Sequence, residues 1–150
     1  MLSSSIQASL TGRFAGSEYG KSKLAGEELF QKYSEETGAK VLIYRFPNLF
    51  GKWCRPNYNS AVATFSNNIA NGLPITVNDR STELELLYID DLIEEMILAL
   101  NGEEHRDEQG FCICPVTFHV TLGEIVDLLY QFKESRNDLS VPDMSDGFTK

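Results

Sequence analysis

Two consecutive segments constrain the fold more than anything else in this chain. Residues 17 to 37 are dense in helix formers and stop at Gly38, a residue suited to the left-handed turn that ends a helix. Lys40-Val-Leu-Ile-Tyr-Arg-Phe46 follows as an apolar, β-branched run without polar alternation, the pattern of a strand covered on both faces. A helix that feeds a doubly buried strand implies a parallel α/β layer.

The remaining pattern fits that layer. Gly51 to Asn59 reads as a loop, followed by a helix from about Ser60 to Asn71 that ends at Gly72. Ile75–Val77 and Glu83–Tyr88 read as short strands. Asp90 is placed to cap a helix whose apolar residues Ile93, Met96, Ile97 and Leu100 recur at helical spacing. Residues 103 to 110 form a charged loop, and Thr121 with Glu124 forms a capping box for a helix through about Glu134. The polar tail from Arg136 to Lys150 is expected to be poorly ordered. With no repeat and no Gly/Pro-rich linker, the chain reads as one unit.

Composition narrows the class of partner. Apolar residues make up 42% of the chain, enough for a core. The net charge of -9 repels a phosphate backbone and no basic run offsets it, so nucleic acid is excluded as a partner. A few placed cations can still hold a diphosphate in an acidic protein. Cys54, Cys112 and Cys114 lack a second pair or histidines at metal-binding spacing, so no metal is expected. His105 and His119 read as structural or solvated. No apolar stretch is long enough to span a membrane, and the chain reads as a cytoplasmic protein with no membrane partner.

Chemistry enters at Tyr19 and Lys23, four residues apart and therefore on one helix face, which Gly26 and Phe30 continue. A cation beside a phenol favours the phenolate and makes the pair a candidate general acid/base. A hydroxyl at a neighbouring strand end would complete such a site. Taken alone, a Tyr and a Lys at this spacing occur on many solvated helices.

The longer context is more specific. Tyr19-Gly20-Lys21-Ser22-Lys23 with Glu27 resembles the Tyr-Gly-x-Ser-Lys-x-x-x-Glu segment of the extended short-chain dehydrogenases/reductases, the NAD-dependent epimerase/dehydratase family. Ser3-Ser4-Ser5 is similar to that family's serine-rich strand end, Arg45 to Gly51 to its Arg-x-x-Asn-x-Tyr/Phe-Gly segment, and Tyr88-Ile-Asp-Asp-Leu92 to its Tyr-Val-Asp-Asp-Leu. Ser3-Ser-Ser-Ile-Gln-Ala8, Pro47-Asn-Leu-Phe-Gly-Lys-Trp-Cys54, Pro56-Asn-Tyr-Asn-Ser60, Val77-Asn-Asp-Arg80 and Val120 to Tyr130 together resemble one subgroup. Its members are capsular-polysaccharide reductases of UDP-linked 2-acetamido-2,6-dideoxy-4-keto-hexoses.

The resemblance implies an α/β fold, namely the C-terminal portion of a Rossmann-like doubly wound parallel sheet with a small substrate-binding subdomain. Residues 1–58 and 84–102 would form the Rossmann-like part, 59–83 and 103–138 the substrate-binding part, and 139–150 a tail. Ser5, Tyr19 and Lys23 would be catalytic, with Ser4 an alternative to Ser5. Ser4, Tyr19, Lys23, Phe46, Pro47 and Leu49 would meet the cofactor, and Ser5, Gln7, Asn48, Asn57, Asn59 and Arg80 the substrate. Arg80 is the nearest arginine to the place of the family's diphosphate-binding arginine, where this chain has Leu84.

The implied reaction is reduction of a 4-ketone by NADPH, with NADH also open, in bacterial capsule-sugar synthesis. A homodimer through the helix after Tyr19 is implied for the whole enzyme. The glycine-rich turn that holds a pyrophosphate has no counterpart here. The dinucleotide-binding half is therefore expected to be missing and the piece inactive by itself. A non-catalytic nucleotide-sugar-binding or dimerising module, an epimerase or dehydratase fragment, and the product of a partial gene remain alternatives.

Overall fold

The computed structural model describes residues 1–150, which fold as two compact units. One comprises Met1–Pro47 and Asp90–Val116, the other Asn48–Ile89 and Thr117–Lys150. The chain passes between them at 47/48, 89/90 and 116/117, whereas sequence pointed to divisions near 58, 84 and 102. None of the three passages is a Gly/Pro-rich linker, so composition does not mark them.

In the first unit, β1 (Leu2–Ser5) pairs in parallel with β2 (Ile43–Phe46), in a register that sets Ser4 beside Arg45 and Ser5 beside Phe46. The long helix α1 (Glu18–Thr37) makes the crossover between them, the connection that parallel strands require. Its ends follow the local code: the Ser17 hydroxyl accepts from Gly20 N at 2.9 Å, and Gly38 closes the helix at φ 72°. The expected strand starts three residues later than its apolar run, at Ile43, although Leu42 O still accepts from Leu2 N at 2.7 Å. Cys112 extends the layer by a parallel bridge to Tyr44, its amide donating to Ile43 O at 2.8 Å. Helix α3 (Ile89–Leu100) continues this unit from Asp90 onward and buries Leu92, Glu95 and Ala99. It starts directly at the end of a strand, so Asp90 lies in its first turn rather than at the cap expected from sequence.

In the second unit, β3 (Asn48–Phe50) runs parallel to β4 (Glu83–Tyr88), and β5 (Phe118–Thr121) pairs antiparallel with β4 on its other side. Helices α2 (Ala61–Ala70) and α4 (Leu122–Asp138) pack together. The core holds Phe65, Ile69, Leu86, Ile125 and Val126. Thr121 and Glu124 form the expected capping box, and α4 runs one turn beyond Glu134. Ile75 and Val77 are not a strand. They follow Pro74 and turn their side chains onto the core without joining a ladder. The tail also departs from expectation: Phe148 packs 5.9 Å from Phe50 and 5.6 Å from Phe118, ring to ring.

Candidate active site

The residues singled out for catalysis lie in the first unit, where the end of β1 meets the start of α1. Ser5 ends β1 and caps the 3-10 turn Ile6–Ser9, its Oγ accepting from Gln7 N at 3.2 Å. That bond uses the oxygen as acceptor and leaves the hydroxyl proton available to donate. Ser17 Oγ donates to Gln7 Oε1 at 2.8 Å while capping α1, so one hydroxyl ties the helix start to the turn after Ser5.

Gly20 explains why glycine follows the tyrosine. A Cβ at this position would lie 2.3 Å from the Gln7 carbonyl oxygen, a backbone atom that cannot swing aside. The absent side chain lets the first turn of α1 press on the turn after Ser5, with Tyr19 the preceding residue. Tyr19 is 53% exposed. Lys23 Nζ donates to Ser3 O at 3.0 Å and stands 5.4 Å from the centre of the Tyr19 ring. An ammonium has three N–H donors, so two remain after the bond to Ser3.

One turn further, Glu27, the last residue of the Tyr-Gly-x-Ser-Lys-x-x-x-Glu segment, turns into the interior. It is 1% exposed and accepts from the buried Ser4 hydroxyl. Arg45 meets it bidentately, with Nε at 3.0 Å and Nη2 at 2.6 Å, and lies 3.7 Å above the Phe111 ring. Tyr19, Lys23 and Glu27 thus recur every fourth residue, and the last two grip consecutive residues of β1 immediately before Ser5. The spacing was a legible signal that Glu27 shares the face of Tyr19. Its pairing with Arg45, set by strand register, was not.

A second buried carboxylate carries a network that sequence did not show. Glu95, 2% exposed, accepts from Tyr44 OH at 3.0 Å and His105 N at 3.1 Å, and meets His105 Nδ1 at 2.6 Å. Burial and the Glu95 carboxylate push the Tyr44 phenol well above its ordinary range. His105 is therefore a tether of its loop. Burial raises the thiols of Cys112 and Cys114, which disfavours the nucleophilic thiolate.

The other expected contacts divide between the units. Phe46 is buried beside Ser5 and stacks on Tyr44 with ring centres 5.4 Å apart, and Pro47 follows it half-buried. In the second unit, Asn48 and Leu49 lie on β3, with Asn48 Nδ2 donating to Glu85 O at 3.2 Å. Asn57 and Asn59 are exposed in the following loop, at φ 58° and 53°. Arg80 Nη2 donates to Asp127 Oδ2 at 2.7 Å and to Gly123 O at 3.3 Å, so α4 engages this guanidinium. No group of three or more His, Cys, Asp or Glu side chains is arranged to hold a metal ion, and no helix is long and apolar enough to cross a membrane.

The model of the NAD dependent epimerase/dehydratase family matches residues 4–114. A UDP-2-acetamido-2,6-beta-L-arabino-hexul-4-ose reductase of Pseudomonas aeruginosa is 40% identical over 150 residues, all of this chain and 38% of that protein. A UDP-glucuronate 4-epimerase of Arabidopsis thaliana is 29% identical over 85% of this chain and 33% of its own length. Among solved structures, the capsular polysaccharide assembling protein CapF from Staphylococcus aureus superposes with a TM-score of 0.90 at 51% identity, over 99% of this chain and 39% of that one. The chain thus spans well under half the length of these relatives.

Proposed function

Because the chain belongs to the NAD dependent epimerase/dehydratase family, we propose that its β1–α1 junction is the proton-donating site of a ketone reductase. Its substrate would be a UDP-linked 2-acetamido-2,6-dideoxy-4-keto-hexose, and the sugar serves bacterial capsule or surface polysaccharide. The observation that carries this reading is the close approach at Gly20, which presses the turn of Tyr19 and Lys23 against the strand end bearing Ser5.

Reduction of a ketone adds a hydride to carbon and a proton to oxygen. A nicotinamide cofactor, NADPH in this reading, supplies the hydride when bound. The donor set fits one: Lys23 retains two N–H donors for ribose hydroxyls, and Pro47, half-buried after the covered Phe46, offers apolar surface at the end of β2. Ser5 donates its hydroxyl proton to the carbonyl oxygen and orients it. Tyr19 hands its phenolic proton to that oxygen as the alkoxide forms, and the Lys23 charge stabilises the phenolate left behind. Ser4 is less suited to this work than Ser5, since its hydroxyl is committed to buried Glu27. Asn48, Asn57, Asn59, Gln7 and Arg80 are the candidate sugar and phosphate contacts, and Arg80 must leave Asp127 to serve.

These residues supply a hydroxyl, a phenol and an amine but no glycine-rich pyrophosphate turn, so reduction is expected only when that turn is provided. In such an enzyme, α1 would form the homodimer contact, which its exposed Leu29, Phe30 and Tyr33 support.

The test is NADPH consumption with the 4-keto sugar, by this sequence carried in a polypeptide that includes the dinucleotide turn. Tyr19→Phe should lower the rate about 10²–10⁴-fold, the usual worth of a placed general acid. An undiminished rate in this variant would remove Tyr19 from the mechanism. Turnover without net loss of NADPH would point to an epimerase, the activity named for the Arabidopsis relative.

A further inference from the structure

Ser17 makes one bond more than a helix cap requires. Its Oγ accepts from Gly20 N at 2.9 Å, the capping bond, and donates to Gln7 Oε1 at 2.8 Å. A hydroxyl has one proton and two lone pairs. With the oxygen already accepting from the helix, the proton is what remains for a neighbour, and the carbonyl end of the Gln7 amide takes it. The reverse arrangement, with the amide NH2 donating to Ser17, would load the oxygen with two donors and leave the Ser17 proton without an acceptor. The cap of α1 thereby decides which end of the glutamine is free.

Gln7 is held through its main chain as well. Its N–H donates to Ser5 Oγ at 3.2 Å, and its carbonyl oxygen accepts from Leu10 N at 3.1 Å. The close approach of Gly20 fixes the same peptide from the side of α1. The Nε2 amino group, with two N–H donors, has no partner within the chain, and Gln7 is only half-buried.

We infer that Ser17 is a positioning residue that sets Gln7 as a hydrogen-bond donor to a carbonyl oxygen of the sugar. This rests on the reductase reading above and extends it to the sense of one bond and the residue that fixes it. A carbonyl oxygen only accepts, so a fixed donor can tell it from a group that donates, whereas a sugar hydroxyl turns to suit either. The proposed substrate has two such oxygens in its sugar, the ketone and the 2-acetamido carbonyl. With the Ser5 proton and the Lys23 ammonium beside it, Gln7 completes a junction that offers donors to an oxygen on which charge develops.

The test replaces Ser17 in the polypeptide that includes the dinucleotide turn and reads kcat/KM by NADPH consumption. Ser17→Asp keeps a good cap for α1, but a carboxylate can only accept. The Gln7 amide must then turn its NH2 to the cap and its oxygen to the sugar. A fall in kcat/KM of about tenfold is expected, the worth of one hydrogen bond left unmade, with the thermal midpoint held. Ser17→Thr supplies both cap and proton and should restore the rate. Gln7→Met removes the amide without adding charge and should match Ser17→Asp. A 4-keto sugar with a 2-hydroxyl in place of the acetamido group locates the oxygen. A rate with this sugar that ignores Ser17→Asp assigns the bond to the acetamido carbonyl, and one that still falls assigns it to the ketone. Unchanged kcat/KM in Ser17→Asp, or a loss that follows the thermal midpoint and is not shared by Gln7→Met, would confine Ser17 to capping and overturn the inference while the reductase reading stands. Absence of turnover by the unsubstituted sequence would overturn both.

Discussion

Each of the two units holds its own interior by a different means. Beneath α1 and α3 the first unit buries two carboxylates, Glu27 with Arg45 and Ser4, and Glu95 with Tyr44 and His105. The second packs Phe65, Ile69, Leu86, Ile125 and Val126 into an apolar core, with Phe50, Phe118 and Phe148 in mutual ring contact beside it. An apolar core stabilises by the area it removes from water and accepts many arrangements of similar volume. A buried ion pair contributes little net stability, because desolvation offsets attraction, but it is costly to misalign. The proposed catalytic residues sit in the unit that uses the second device, where Lys23 and Glu27 grip Ser3 and Ser4 and so hold the strand end that bears Ser5. Precision of position, rather than gross stability, is what such a network supplies.

The contrast can be broken from either side. Glu27→Ala leaves Arg45 without its partner and should cost about 3–5 kcal/mol, measured by chemical denaturation. Glu27→Met combined with Arg45→Met should recover most of that loss, since paired apolar replacements are often neutral. If the double variant is as unstable as the single, the pair is stabilising in its own right and the contrast fails. In the second unit, Leu86→Ala should cost about 2–5 kcal/mol through lost burial and the cavity left behind. No second substitution should rescue it unless it refills the volume.

Gly20→Ala tests the seam at the site. The new methyl must displace the Gln7 carbonyl, so a loss of about 1–3 kcal/mol is expected, with reductase activity falling further than stability explains. Activity that survives with stability lost would show that the close approach serves packing alone. Thr121→Ala removes the capping box at α4 and should cost about 1 kcal/mol, seen as a lower denaturation midpoint.

The smallest effect concerns pH. Hydrogen bonds from Lys40, then from a backbone amide and from Arg106, hold the Glu104 carboxyl at about 2, below its ordinary value near 4.5. A depressed carboxylate contributes stability above its unfolded value and loses it as pH falls through the folded one. The difference in thermal midpoint between the chain and Glu104→Gln should therefore be constant near neutrality and shrink between about pH 4.5 and 2. A difference that persists below that window would assign the effect to packing.

Local chemistry was readable directly. The left-handed Gly38, the capping box of Thr121 and Glu124, and the strand within the apolar run of 40 to 46 depend on residues within a few positions of one another, and each formed, the strand over Ile43–Phe46. The Tyr19, Lys23 and Glu27 spacing was legible for the same reason, since a helix places every fourth residue on one face. Where local pattern misled, tertiary packing was the cause. Ile75 and Val77 have strand character yet only cover the core, Asp90 was pre-empted by a helix that starts at Ile89, and Phe148 drew in a tail of polar composition.

What the amino-acid order determined by itself was the helices and the buried run that becomes β2, because periodicity and caps act over one or two turns. Only the tertiary structure decided that Ser4 would surrender its hydroxyl to Glu27 while Ser5 kept its proton, that His105 would close on Glu95, and that Trp53 would stand wholly in solvent. Those outcomes depend on which residues the parallel register of β1 and β2 sets side by side and on where loops are anchored. Contacts between residues far apart in the chain leave no periodic trace in it.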